Sequence, residues 1–205
     1  DPVMFSAGVV NAFCTGGEAI TISDLSLKWQ IIENGVPISR IASTSTDPLK
    51  FFLSPYLLTV NKQYKIQLVA TNRNTLISAQ TSVTVIVASG GLVATISGGT
   101  TRSIQSLQKF QLDVARSYDT NLSPTARYND IFIMYRWTCQ SNNLGVNSAC
   151  PLSFETSVRS NAPLTVSPIR RLTAGSQYIM TVTAMKDTRT SQATVLLTVQ
   201  ANDTC

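Results

Sequence analysis

Apolar residues in this chain recur mainly at every second position. Leu25, Leu27, Trp29 and Ile31 alternate with Ser26, Lys28 and Gln30. Tyr64, Ile66, Leu68 and Ala70 form a second run, and Val83, Val85 and Val87 a third. The pattern returns in Phe110, Leu112 and Val114, in Tyr178, Met180, Val182 and Ala184, and in Val195, Leu197 and Val199. A period of two sends successive side chains to opposite faces, so each run predicts a strand with one buried face. The longest run, Asp130 to Asn143, is expected to turn Ile131, Ile133, Tyr135, Trp137 and Cys139 inward. Phe132, Met134, Arg136 and Thr138 then face outward. Shorter strands are expected at Glu18–Ser23, Phe51–Leu53, Leu92–Ile96 and Leu164–Val166. Residues 1–16 are ambiguous: Val3, Phe5, Val9 and Val10 fit a strand with a bulge. Thr15-Gly16-Gly17, Asn34-Gly35, Asn72-Arg73-Asn74, Gly98-Gly99 and Lys186-Asp187 punctuate the runs as turns.

The runs repeat as a set. Leu58 to Thr71 (LTVNKQYKIQLVAT) lies over Leu172 to Ala184 (LTAGSQYIMTVTA), with Leu six residues before Tyr and then Tyr-x-apolar-x-apolar-x-Ala. Trp29 precedes Tyr64 as Trp137 precedes Tyr178, with a longer interval in the second copy. Trp29, Tyr64, Trp137 and Tyr178 are therefore expected in two equivalent cores. Ser89-Gly90-Gly91 is the natural boundary. The pattern predicts an all-β chain of two tandem immunoglobulin-like antiparallel β-sandwiches, residues 1–88, with or without an opening strand, and 92–205.

Composition supports strands over helices: Thr, Val and Ser are plentiful and charged residues make up only 13%. The 205 residues suit two modules of roughly 100 each. The net charge of +5 is uneven, about +1 over residues 1–90 and +4 over 91–205. The basic residues are scattered rather than clustered, which argues against nucleic acid as a partner. No apolar stretch reaches the roughly 18 residues that span a bilayer, so direct membrane insertion is not expected. Asp-Pro-Val-Met is neither an initiator sequence nor a signal peptide, and the chain reads as a mature or excised piece.

Cys139 and Cys150 bracket the turn-rich segment QSNNLGVNSA and predict a disulfide, with two free thiols as the alternative. Cys14 and Cys205 lie near opposite ends, too far apart to meet in an extended tandem. Asn121-Leu122-Ser123 and Asn202-Asp203-Thr204 are glycosylation sequons. Cysteines and sequons together suggest an extracellular or cell-surface protein.

Leu172, Gly175 and Tyr178 form the Leu-x-x-Gly-x-x-Tyr pattern of a tyrosine corner, which resembles fibronectin type III domains. The first copy has Leu58 and Tyr64 but Asn61-Lys62 in place of the glycine turn. Phe110 to Asp119 (FQLDVARSYD), followed by IMYRWTC, resembles the REJ (receptor for egg jelly) and PKD-like sandwiches of polycystin-type proteins. The matching residues are Leu112, Asp113, Ser117, Asp119, Trp137 and Cys139, with Ala115 where a serine is common. The Trp-Asp-Phe-Gly-Asp-Gly signature of ordinary PKD domains is absent. The resemblance implies an extracellular module, structural or ligand-binding, in a large ciliary, flagellar or gamete-surface protein.

The chain has no histidine, which excludes Ser-His-Asp and Cys-His nucleophile systems and most zinc hydrolases. No phosphate-cradling motif is present, and neither an enzyme activity nor a cofactor is expected. Asp119, Thr120, Asn121 and Asp130 could supply oxygen ligands to calcium, but an ordinary Asx turn is the simpler reading, so no metal site is expected. Arg170, Arg171 and Arg189 suggest a small basic patch or a solvated face. Phe132, Met134 and Arg136 on the outer face suggest contact with a neighbouring domain or subunit. The expected partners are other domains of the same chain and neighbouring extracellular proteins, with self-assembly a further option. The reading is a non-catalytic structural or adhesive module; a receptor ectodomain and a microbial adhesin are the alternatives.

Overall fold

The structure, a computed structural model, describes residues 1–8, 21–142, 150–158 and 163–201. The chain divides into two compact units, Asp1–Ser89 and Gly90–Cys205. Apart from two single 3₁₀ turns, the regular structure in the described residues is strand.

In the first unit β1 (Val3–Ser6) pairs with β4 (Lys50–Leu53), and a second sheet has the order β3 (Val36–Pro37), β2 (Leu25–Glu33), β5 (Lys62–Asn72), β6 (Ser78–Val87). Asn34 and Gly35, both at positive φ, form the two-residue turn between β2 and β3, as an Asn-Gly pair should. The core is Ile31, Phe51, Leu53, Tyr64 and Ile66, with Val3, Phe5, Val85 and Val87 packed against it. Trp29 lies on this core and remains partly accessible. Its ring meets Phe51 at 5.4 Å between centroids, and its Nε1–H donates to the Pro48 carbonyl at 3.0 Å. Ile22–Asp24 forms a 3₁₀ turn, not the end of a strand, because the Asp24 carboxylate accepts the Thr21 N–H at 2.8 Å and curls the chain back. The rest of the expected Glu18–Ser23 strand, residues 18–20, lies outside the described residues, as do Val9, Val10 and Cys14.

In the second unit β7 (Leu92–Val93) pairs with β10 (Tyr118–Asp119). The two facing sheets are β8 (Thr101–Ile104) through β13 (Ser157–Val158), in the order β13, β11 (Met134–Ser141), β15 (Gln177–Lys186), β16 (Arg189–Val199), β8, and the trio β12 (Leu152–Ser153), β14 (Leu164–Pro168), β9 (Phe110–Leu112). Between them Trp137, 2% exposed, packs with Leu112, Val114, Tyr135, Val166, Met180, Val182, Val195 and Leu197. The same core takes in Ile96 and Ile104.

The structure departs from the period-two reading in three places. The tryptophan strand begins at Met134, so Ile131 is not inward: it is 76% exposed, on a turn ahead of the strand. The cause is Asp130, whose Oδ1 accepts the Phe132 N–H at 3.0 Å and breaks the alternation. The Leu92 strand ends after Val93. Val83 is exposed, although it shares a face with Val85 and Val87. Sequence pattern also missed β8, a polar Thr-Arg-Ser-Ile stretch that pairs in parallel with β16.

The repeat is exact in register. Trp29 stands opposite Leu68 and, four residues on, Glu33 stands opposite Tyr64. Trp137 stands opposite Val182 and, four residues on, Ser141 stands opposite Tyr178. The turn before each tyrosine matches as well. Asn61 at φ 61° and Gly175 at φ 80° both adopt the left-handed conformation. Their N–H groups donate to Val87 and Val199 carbonyls at 2.7 and 2.8 Å. Asparagine tolerates that conformation better than other side-chain-bearing residues, so the missing glycine in the first copy leaves the turn intact. There the Thr59 N–H donates to the Tyr64 hydroxyl at 3.0 Å, the bond that defines a tyrosine corner.

A methyl group added at Gly175 meets no neighbour, so the cost of Gly175→Ala is conformational, about 1–2 kcal/mol. Asn61→Gly is expected to be neutral or slightly stabilising. Denaturant unfolding of the two variants checks both, and equal losses would contradict the shared turn geometry.

Candidate functional site

The most concentrated polar chemistry lies at one end of the second sandwich. β15 and β16 are joined by a two-residue turn, with Asp187 at φ 54° and Lys186 opposite Arg189. Cross-strand partners share a face, so the turn delivers two cations side by side. Two carboxylates meet them from other parts of the chain. Asp119, on β10, is 1% exposed. It receives Arg189 in a fork, Nη1 to Oδ1 at 2.7 Å and Nη2 to Oδ2 at 2.9 Å. Lys186 Nζ donates to Asp119 Oδ2 at 2.8 Å and to Asp130 Oδ2 at 2.7 Å. Backbone groups complete the shell: the Asn121 N–H donates to Asp119 Oδ1 at 2.9 Å, and the Phe132 N–H to Asp130.

Burial alone would raise the Asp119 pKa. Hydrogen bonds from Arg189, then Lys186 and the Asn121 N–H, outweigh it and hold the carboxyl well below the usual carboxylate range. For Lys186, burial pulls the pKa down, but Asp119 and Asp130 outweigh that and raise it. Bonding to Asp119 raises Arg189. Asp119, Lys186 and Arg189 thus hold their charges through the neutral range. A general acid or base needs a pKa near the working pH, and none of these three provides one. The arrangement works as a staple between chain segments.

The network also fastens the start of the unit. Arg189 Nη1 donates to the Gly90 carbonyl at 3.2 Å, and the Gly90 N–H donates to Asn121 Oδ1 at 2.6 Å. Thr120 donates its hydroxyl to the Gly91 carbonyl at 2.8 Å. A Cβ on Gly90 would collide with the Thr120 side chain, so glycine is required there for close approach. Gly90-Gly91, read from sequence as a boundary, is bonded into the second unit.

The remaining sequence expectations fall as follows. Asp119 and Asp130 meet at the Lys186 ammonium, which bonds both carboxylates, while the Thr120 and Asn121 side chains turn to the Gly91 carbonyl and the Gly90 N–H. Arg189, bonded to Asp119, does not join Arg170 and Arg171 in a basic patch; those two sit exposed on the turn after β14. Asn121, the first sequon, is half-buried and holds Gly90. Asn202 and Cys205 lie outside the described residues. Cys139 and Cys150 are disulfide-bonded, with 5.8 Å between Cα atoms, and residues 143–149 of the enclosed loop lie outside the described residues. Phe132 is 72% exposed on the turn beside Ile131, Arg136 is exposed on β11, and Met134 is half-buried. Phe132 therefore belongs with Ile131 at the turn, not in a row along the strand. Nearby, Tyr118 and Tyr128 meet edge to face at 5.6 Å, with the Arg127 guanidinium 4.8 Å from the Tyr118 ring centre. Sequence reasoning missed Lys186 and Arg189 as partners of Asp119. The available signal was Lys-Asp-Thr-Arg, a fully polar hairpin tip in a chain with few charges.

Asp113 and Ser117, two of the motif residues, bond to neighbouring stretches of the chain. Asp113 Oδ1 accepts the Ala115 N–H at 2.8 Å. Ser117, buried, ties to Thr95 through both its carbonyl and its N–H and bonds the Tyr135 hydroxyl. Burial raises the Tyr135 pKa, and that tyrosine is fully enclosed.

A family model described as the REJ domain matches residues 18–204. Among solved structures, the chain is similar to the titin domains Z1Z2 in complex with telethonin, at 13% identity and TM-score 0.41, over 85% of this chain and 81% of that one. It is also similar to Sidekick-1 immunoglobulin domains 1–5, at 12% identity and TM-score 0.37, over 87% and 32% of the two chains. Drosophila OTK extracellular domains 3–5 match at 11% identity and TM-score 0.36, over 97% and 59%.

Asp119→Asn removes a buried carboxylate from two half-buried cations and is expected to cost the second unit about 3 kcal/mol. In a Trp29→Phe background, Trp137 fluorescence reports that unit alone. The folded pKa of Asp119 lies below its unfolded value of 3.8, so its stabilisation is complete above that value and is lost as pH falls further. Acid titration of the parent should show this loss and the Asn variant should lack it. Replacing both Cys139 and Cys150 with alanine should cost about 2–3 kcal/mol in the same assay.

Proposed function

This chain belongs to the REJ domain family, and on that premise we propose that it is a non-catalytic structural or adhesive module of a larger extracellular protein. Its all-β, immunoglobulin-like architecture sets the scale of the module, and no helix among the described residues is long and apolar enough to cross a membrane. The observation that carries the reading is the Ile131-Phe132 turn. Two large apolar side chains, 76% and 72% exposed, stand at its tip. Asp130, immediately before them, is fixed by Lys186 and by the Phe132 N–H.

An exposed apolar pair on a mobile loop would collapse onto the nearest surface. Here the base is fixed by a charged hydrogen bond out of bulk water, so the pair stays presented. Such a preformed anchor suits insertion between the side chains of an adjoining protein module. Tyr128, also exposed, and the Arg127 stack beside it extend the surface with residue types favoured at protein contacts. Residues 130–136 are thus the face through which the module meets its neighbours. The charged staple holds that face in shape.

Ile131→Ser combined with Phe132→Ser should weaken association with neighbouring modules, read by sedimentation velocity on the secreted parent protein or on concentrated fragment. Both side chains are exposed, so unfolding stability should stay within about 0.5 kcal/mol. Unchanged association in a stable variant would sink the reading.

A further inference from the structure

The two units differ at one sheet edge. In the second unit β16 is covered by β8. The Leu196 N–H donates to the Thr100 carbonyl at 2.8 Å and the Gln200 N–H to the Ile104 carbonyl at 2.9 Å. Ile104 enters the core. In the first unit β6 corresponds to β16, since Val85 faces Tyr64 as Leu197 faces Tyr178. No strand among the described residues pairs with the outer edge of β6.

That edge lacks the usual protections. β6 runs ten residues, SAQTSVTVIV, with no charge and no proline, and it pairs with β5 without a bulge. Ile86 is 73% exposed. The opposite edge of the same sheet is blunted: β3 has two residues, one of them Pro37. Behind β6 a cavity of about 310 Å³ opens between Trp29, Ile66, Phe5 and Thr81–Val83. Trp29 on its wall is partly exposed, whereas its equivalent, Trp137, is enclosed. In the second unit Leu92, Ile96 and Ile104, from the segment that ends in β8, are all buried.

We propose that the β6 edge is the seat of a parallel strand contributed by the polypeptide leading into Asp1. The connection follows from the second unit. There β8 leads into β9 through residues 105–109, and β9 pairs with β14. β1 is the first unit's counterpart of β9: it pairs with β4 in the same antiparallel way, Val3 opposite Leu53 as Phe110 is opposite Val166. With an equal connection, the covering strand lies just upstream of Asp1 and pairs with Thr84–Val87, the positions equivalent to Leu196–Val199. It needs an apolar residue opposite Val87, as Ile104 is opposite Val199. Backbone groups give the strand its affinity and the apolar residue gives its register.

The register places the N–H groups of Thr84, Ile86 and Ala88 on the open side. Hydrogen exchange compares the 205-residue chain with one extended by its natural upstream residues. These three amides should exchange at least about tenfold more slowly in the longer chain, and Trp29 emission should shift to the blue. Ile86→Pro removes an outward N–H, which an edge strand tolerates. It should leave the shorter chain's unfolding midpoint unchanged while lowering that of the longer chain and releasing Thr84 and Ala88. Equal exchange in both chains overturns the proposal. So does protection in the shorter chain that rises with protein concentration, because a second copy would then be the occupant.

Discussion

A carboxylate taken out of water must be answered by positive charge and hydrogen-bond donors, and Asp119 concentrates that requirement in the second unit. It is met by a guanidinium and an ammonium from one distant hairpin and by a backbone N–H two residues on. Each donor fixes something else. Arg189 reaches the Gly90 carbonyl, Lys186 reaches Asp130, and Asp130 sets the turn that carries Ile131 and Phe132. The first residues of the unit, its last hairpin and its exposed apolar turn are therefore held by one cluster. Replacing a buried ion cluster with apolar residues is often neutral or stabilising in proteins, so its worth here lies in geometry as much as in free energy.

The fold was legible because its signal is local. Alternation at Tyr64–Ala70 and Tyr178–Ala184 gives strand and face together, and the repeat adds pairing, since equivalent tryptophans and tyrosines must occupy equivalent registers. Three kinds of feature were not legible, each for a physical reason. Ile131 was misassigned because a side-chain bond from Asp130 interrupts the backbone pattern without changing the hydrophobic one. β8 was missed because a four-residue edge strand buries few side chains and owes its place to backbone pairing. The site was half visible. Asp119, Asp130 and Asn121 stood out as a possible oxygen cluster, but their counter-charges lie more than fifty residues on, across a hairpin whose facing could not be read from spacing.

The two copies show which parts of the plan are constrained. The left-handed residue before each core tyrosine is kept, as asparagine in one and glycine in the other, because the bond to the carbonyl two residues beyond the tyrosine's cross-strand partner requires that backbone geometry. The enclosure of the tryptophan is not kept. Trp137 lies between complete sheets, whereas Trp29 relies on Phe51 and the Pro48 carbonyl. The same ring at the same register is a sealed core residue in one unit and a half-open one in the other. Among the described residues, a strand covers the corresponding sheet edge in the second unit and none does in the first.

The parallel pairing of β8 with β16 has a mechanical meaning. These strands lie near opposite ends of the second unit's sequence and point the same way. Tension applied through residues before Thr101 and after Val199 draws them in opposite directions along their common axis. The bonds between them are then loaded in shear and must yield together, not one at a time as in peeling. In a chain of such units, this short seam would carry the load before the long antiparallel hairpins feel it.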